Sequence, residues 1–309
     1  MHSPAAAEEL SAVAGICGVI VEGATSSSSL FRPNCPVIAV DSSNDAGLSD
    51  IQLEDGMSLD KLKTTIEQSP IASATLVQLS RNNHHASVFD ALFAESLAYS
   101  TLQHSEPFLS WLASEKPTNI KHFVGPAIIA ERQANQLVLV LNRPENRNAW
   151  STDMRDALAE QLQLACADDT IKGITLKANG PAFGAGGDLT EFGAARDAGI
   201  AHVSRQTRSP AQLMHILRDK ITVMLHGACV GAGIELPAFA TSIVAQPKAF
   251  FQLPEVQFGL IPGAGGSASI LKRIGRSRFN YMALSGERIS AQVALKWRLI
   301  DKLIDANDV

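Results

Sequence analysis

The chain has 309 residues, 46% of them hydrophobic and 18% charged, enough apolar side chains for a sizeable core and too many for a disordered chain. Twenty-six basic against thirty-one acidic residues leave a formal charge of −5 and no run of Lys or Arg, which argues against a nucleic-acid or anionic-membrane surface. The four cysteines, Cys17, Cys35, Cys166 and Cys229, lie far apart without metal-ligand or disulfide-framework spacing, as expected of reduced thiols in a cytoplasmic chain.

In chain order, the opening MHSPAAAEEL carries acids and no basic start, and the apolar stretch from Val13 to Val21 is too short for a membrane span, so neither signal peptide nor anchor is expected. CGVIV (Cys17 to Val21) and PVIAVD (Pro36 to Asp41) read as short buried strands around a serine-rich linker. From Ser58 the pattern turns helical: SLDKLKTTIEQ, then ASATLVQLSRN, then a longer segment from Ser87 to Ser114. In that last segment Phe89, Leu92, Phe93 and Leu97 recur at helical spacing and need a partner surface, and Pro107 interrupts the run. A change of texture at Lys116 to Phe123 separates an amino-terminal region, 1–119, from a second unit, 120–309. There LVLVL (Leu137 to Leu141) is a strand, Ser151 to Asp168 an amphipathic helix, and GITLK, ITVMLHG and TSIVAQ are further strands. Such alternation predicts an α/β architecture.

Three small-residue segments, AFGAGGDL (Ala182 to Leu189), HGACVGAGIEL (His226 to Leu236) and PEVQFGLIPGAGGS (Pro254 to Ser267), each follow a strand and open a helix. Bare backbone N–H groups there can donate to a developing oxyanion; equally, the glycines can serve only tight turns and close packing. No phosphate loop occurs, and Pro262 stands where the one partial dinucleotide fingerprint needs a continuous strand. Glu235 lies in an apolar run and Glu255 follows FFQLP. Each can be a structural carboxylate; together, beside backbone donors, they suggest an acid/base pair acting on a carbonyl compound, because burial raises a carboxyl pKa into the useful range. Asp188 reads as a helix N-cap. The histidines lack metal-ligand spacing, so no metal is expected.

These residues carry a resemblance. LNRPENRNAW (Leu141 to Trp150), AFGAGGDL, VMLHGACVGAGIEL, FQLPEVQFGLIPGAGGS and LSGERISAQVALKWRLID (Leu284 to Asp301) stand in the order of the motifs of the crotonase (enoyl-CoA hydratase/isomerase) superfamily, from about Phe123 onward. The likeness implies a spiral of ββα units, with residues 1–119 as an additional amino-terminal α/β region. It implies a thioester carbonyl held by the amides of Ala185 and Ala232, hydratase-type glutamates at Glu235 and Glu255, and ligand-binding positions at Ala149, Gly186, Gly187 and Asp188. The implied reaction is addition of water to a 2-enoyl-CoA in fatty acid metabolism, with no cofactor, coenzyme A being part of the substrate. Isomerase, decarboxylase, thioester hydrolase and non-catalytic acyl-CoA binder are the alternatives. The implied partner is the acyl-CoA, in a cytoplasmic homo-oligomer, trimer or hexamer, that binds neither nucleic acid nor membrane. Family members usually continue past the last motif with helices that cover the site. Here little follows LIDKLID, so either Phe89 to Ser114, which resembles those helices weakly, supplies the cover, near the helix of Ala291 to Trp297, or the amino-terminal region is an unrelated accessory domain with a helix that happens to look alike.

Overall fold

A computed structural model of the protein describes residues 15–22, 33–40, 49–115, 123–195 and 197–305. The serine-rich linker and the expected boundary at 116–122 lie outside the described residues. The strands are β1 (Val19–Val21), β2 (Val37–Ala39), β3 (Ile51–Gln52), β4 (Ile128–Gln133), β5 (Gln136–Leu141), β6 (Gly173–Ala178), β7 (Gly184–Ala185), β8 (Ile221–Leu225), β9 (Ala228–Val230), β10 (Ser242–Ala245), β11 (Phe250–Gln252), β12 (Ile289–Ser290) and β13 (Lys302–Leu303). The helices are α1 (Leu59–Gln68), α2 (Pro70–Asn83), α3 (Val88–Leu102), α4 (Glu106–Ser114), α5 (Thr152–Ala167), α6 (Ala198–Thr207), α7 (Pro210–Leu217), α8 (Ala232–Glu235), α9 (Gly266–Ile274), α10 (Arg276–Ser285) and α11 (Ala291–Trp297).

Local chemistry sets many of these boundaries. Ser58, Ser87, Ser151 and Ser209 each accept a backbone N–H from the first turn of the helix that follows, satisfying a donor with no intrahelical partner. The segment from Ser87 to Ser114 is two helices, with Pro107 in the first turn of the second, where its missing N–H costs nothing.

Two sheets build the second unit. The larger runs β13-β10-β8-β6-β5-β4, parallel except for the β4–β5 hairpin, whose turn holds Ala134 at φ 54°. The smaller runs β12-β11-β9-β7, parallel except at its β12 edge. Successive pairs, β6 with β7, β8 with β9 and β10 with β11, send one strand to each sheet, so the chain winds as the expected spiral of α/β type. Leu139, Leu176, Val223 and Ile243 are register partners on one face of the larger sheet and are buried, whereas their neighbours along β6, β8 and β10 are half-buried, so these strands alternate with period two.

The amino-terminal strands form a third, parallel sheet, β1-β2-β3. This region is not separate in its packing: Ile38, Leu62, Leu76 and Phe108 belong to the same buried cluster as Leu139 and Phe279. Burying each such side chain contributes about 1.5–3 kcal/mol. Asp50 ties the region to α10, pairing with Arg81 (2.6 Å) and Arg276 (2.9 Å) and accepting the Val37 N–H (2.9 Å).

α3 docks otherwise than expected. Its main neighbours are α2, α6, α7 and α9, whereas α11 packs on β11, β12 and β13. Of the four apolar residues read as its inner face, only Leu92 is buried; Phe89, Phe93 and Leu97 are 46%, 51% and 44% exposed. The inner face is instead the small and polar one, Ala91, Glu95 and Ser96, which lets α3 approach closely and carry a carboxylate inward.

Candidate active site

The second and third small-residue segments open α8 and α9, as expected; the first opens only a short 3₁₀ turn at Leu189–Glu191. Asp188 caps that turn, its Oδ1 accepting the Thr190 N–H at 3.0 Å. Trp150, Gly187, Asp188, Ala232, Glu235 and Glu255 line one cleft, so four separate stretches of sequence meet. A parallel bridge between Trp150 and Gly187 joins the LNRPENRNAW loop to the AFGAGGDL loop. Asn148 holds the former in shape: its Oδ1 accepts the Arg143 N–H, and its Nδ2 donates to the carbonyls of Asn179 and Ala182.

Three expected site residues stand differently. The Ala185 N–H donates to the Arg147 carbonyl at 3.0 Å and is therefore spent on the backbone, because residue 185 lies in β7 and faces that loop. Two residues on, Gly187 has left the strand; among the described residues its N–H has no acceptor, and it lines the cleft. Ala149 is buried and bonds the Asn146 carbonyl, leaving its neighbour Trp150 at the cleft. Gly186 turns the chain at φ 91° and offers its carbonyl to the Trp150 N–H. Ala232 stands as expected at the start of α8, where its N–H has no intrahelical acceptor. The pair of amides free to meet a carbonyl oxygen is therefore Gly187 with Ala232.

Between these donors sits Gly231, at φ 49°, ψ −122°, a conformation that L side chains rarely adopt. A β-carbon there would lie 2.5 Å from Glu255 Oε1, 3.8 Å from Glu235 Oε1 and 3.4 Å from Gly186 Cα. Both carboxylates and the first glycine loop thus surround one small volume. Glu235 is 2% exposed, and its Oε2 accepts the amides of Ala264 (2.8 Å) and Gly266 (2.9 Å). Glu255 keeps some exposed surface, but its Oε2 is sealed from solvent without a hydrogen-bond partner. Burial raises both carboxyls; that of Glu255 is pushed up to about 8. The neighbouring glutamates raise Glu235 further, while its two amide donors favour the charged form.

Sequence reasoning missed the opposite wall, which comes from α3 and α6. Glu95, Tyr99 and Arg205 line the cleft there. Arg205 stacks on Tyr99 at 5.0 Å and bonds Ser96, Ser100 and Gln103. The one available signal was an acid inside the Ala-rich run FAESLA.

A two-sheet spiral that brings glycine-loop amides and two buried glutamates to a single cleft defines a crotonase-fold protein. The family model for enoyl-CoA hydratase/isomerase matches residues 131–309, and the chain belongs to that family. It is 33% identical over 181 residues to 2,3-dehydroadipyl-CoA hydratase of Escherichia coli (strain K12), covering 58% of this chain and 70% of that protein. It is 29% identical over 171 residues to trans-2-decenoyl-[acyl-carrier-protein] isomerase of Streptococcus mutans, covering 54% and 65%. Enoyl-CoA hydratase from Thermoplasma volcanium GSS1 superposes with a TM-score of 0.54 at 31% identity, covering 60% of this chain and 74% of that one. With the Streptococcus isomerase the chain thus spans slightly less than two thirds of the relative's length. Among the described residues no helix is long and apolar enough to cross a membrane.

Proposed function

We propose that the protein hydrates a 2-enoyl-CoA thioester, as a lyase. The observation that carries this reading is the pair of glutamates, Glu235 and Glu255, facing one volume beside the unbonded amides of Gly187 and Ala232. The thioester carbonyl oxygen accepts from those two amides, which stabilise negative charge as it develops there. Polarisation makes Cβ electrophilic. With one proton shared between the two neighbouring carboxyls, Glu235, oriented by its two amide donors, takes a proton from water as the water oxygen bonds to Cβ. Glu255, kept neutral by burial, delivers its proton to Cα. The product is the 3-hydroxyacyl thioester, and the proton on Glu235 returns through solvent to Glu255. The amino-terminal helix α3 closes one wall of the cleft through Glu95, Ser96 and Tyr99.

The test is loss of the enoyl thioester's ultraviolet absorbance with a panel of 2-enoyl-CoA substrates headed by crotonyl-CoA. Glu235→Gln and Glu255→Gln should each lower kcat by about 10²- to 10⁴-fold, the range general acid/base catalysis supplies. Turnover that survives both substitutions refutes the acid/base assignment. Conversion of 3-enoyl substrates without hydration refutes the lyase reading in favour of an isomerase.

A further inference from the structure

Glu95 belongs to α3, outside the stretch that the family model matches, yet it is 2% exposed and reaches the heart of the cleft. Its Oε1 accepts the Gly265 N–H at 2.7 Å; its Oε2 accepts the Ser267 N–H at 2.9 Å and the Ser267 hydroxyl at 2.6 Å. Asn83 of α2 in turn donates to Ser267 Oγ at 2.9 Å. Glu235 holds the amides of Ala264 and Gly266. Four successive amides at the start of α9 therefore go alternately to two carboxylates on opposite sides of the turn: 264 and 266 to Glu235, 265 and 267 to Glu95. Neither set can shift without dragging the other, since the peptide planes between them are rigid.

We propose that Glu95 is a positioning residue for the reaction: by clamping the Gly265 and Ser267 amides it fixes the turn whose other two amides orient the Glu235 carboxylate. The groups facing Glu95 agree with this placement. Arg205 on α6 favours its charge, Tyr99 lies one turn further along α3, His202 bonds the adjacent Ser96, and Glu235 and Glu255 repel it. Burial raises the Glu95 carboxyl to about 7, while its three donors and Arg205 act in the opposite direction. Glutamine at this position keeps the volume but turns an N–H₂ group toward a backbone N–H, which breaks the clamp on one side.

The kinetic arm rests on the hydratase reading and uses crotonyl-CoA. Glu95→Gln should lower kcat by about 10- to 100-fold, the cost of misplacing a catalytic group by a fraction of an ångström to one ångström, with KM changed by less than about threefold. In a Glu235→Gln background the same substitution should lower the residual kcat by less than about threefold, because the group it positions is already gone. Losses that multiply in the double variant, or full turnover in Glu95→Gln, overturn the proposal. The second arm is amide hydrogen exchange and needs no activity. In Glu95→Gln the amides of Ala264 and Gly266, which touch Glu235 and not Glu95, should exchange at least about tenfold faster while those of Ile270 and Leu271 keep their rates. Uniform acceleration through α9, or none at 264 and 266, refutes positioning. A wild-type protein that leaves crotonyl-CoA unchanged sinks the hydratase reading alone, and exchange then decides Glu95. Should Glu95→Gln fail to fold, Ser267→Ala removes one donor to Glu95 and should speed exchange at 264 and 266 several-fold; unchanged exchange there overturns the proposal.

Discussion

Replacing Gly233 by alanine separates the scaffold of the candidate oxyanion site from its acids. Gly233 lies in α8, one residue after Ala232, and packs directly on the backbone of Gly184 in β7, three residues before Gly187. A β-carbon at 233 would stand 2.6 Å from the Gly184 carbonyl oxygen and 3.1 Å from its Cα. Ordinary contact begins near 3.4 Å, so α8 and β7 must part by about 0.8 Å, and both neighbours are backbone that no rotamer change can move aside. Overpacking of this kind costs about 1–3 kcal/mol, which for a protein of this size lowers Tm by about 1.5–5 °C. The two amides would then no longer meet one oxygen, and a misplacement approaching 1 Å costs about 10²-fold in kcat. Thermal unfolding and hydration kinetics on the same preparation check both numbers. A variant with the expected drop in Tm but kcat within about threefold of wild type would refute the view that this backbone contact sets the spacing of the amides.

Two further outcomes are expected. Glutamates of an unfolded chain titrate near about pH 4.5, whereas burial raises Glu95 and Glu255 in the folded state to about 7 and about 8. Their contribution to stability is therefore complete below pH 4.5 and falls as pH rises toward 8, at most by about 1.4 kcal/mol per pH unit for each group and by ~3 kcal/mol in all for Glu95. Urea unfolding at pH 5 and pH 8 should show a smaller difference in Glu95→Gln than in wild type, and an equal difference would contradict the buried-carboxyl account. Asp50→Ala leaves Arg81 and Arg276 without the carboxylate they share, and should destabilise the whole chain in one cooperative transition by about 3–5 kcal/mol. Unfolding of the amino-terminal strands in a separate, earlier step would instead mean that this region is an independent unit.

The fold class and two of the catalytic candidates were legible in the residues alone. A strand buried over most of its length writes a continuous apolar run such as LVLVL, serine caps mark helix starts, and an acid in the run IEL or after FQLP must answer to something specific. The free amides were harder to place. Ala185 and Gly187 are both small residues in one short loop, and the choice between them turns on which N–H the Arg147 carbonyl takes, a matter of β7 and its neighbouring loop and not of residue type. Glu95 was hidden for another reason. The apolar spacing of α3 pointed to Phe89, Phe93 and Leu97 as its inner face, yet the helix turns its small and polar side to α9.

Periodicity reports how much apolar surface a helix carries, and short-range pattern fixes strands, caps and glycine turns because their causes lie within a few residues. Which face of α3 is covered depends on partners more than 100 residues away, Glu95 meeting Gly265 and Ser267 across 170 and 172 positions, and which amides remain unspent depends on a separate loop, the one that brings the Arg147 carbonyl to Ala185. Those pairings are decided by close packing of the assembled chain, which no local spacing encodes.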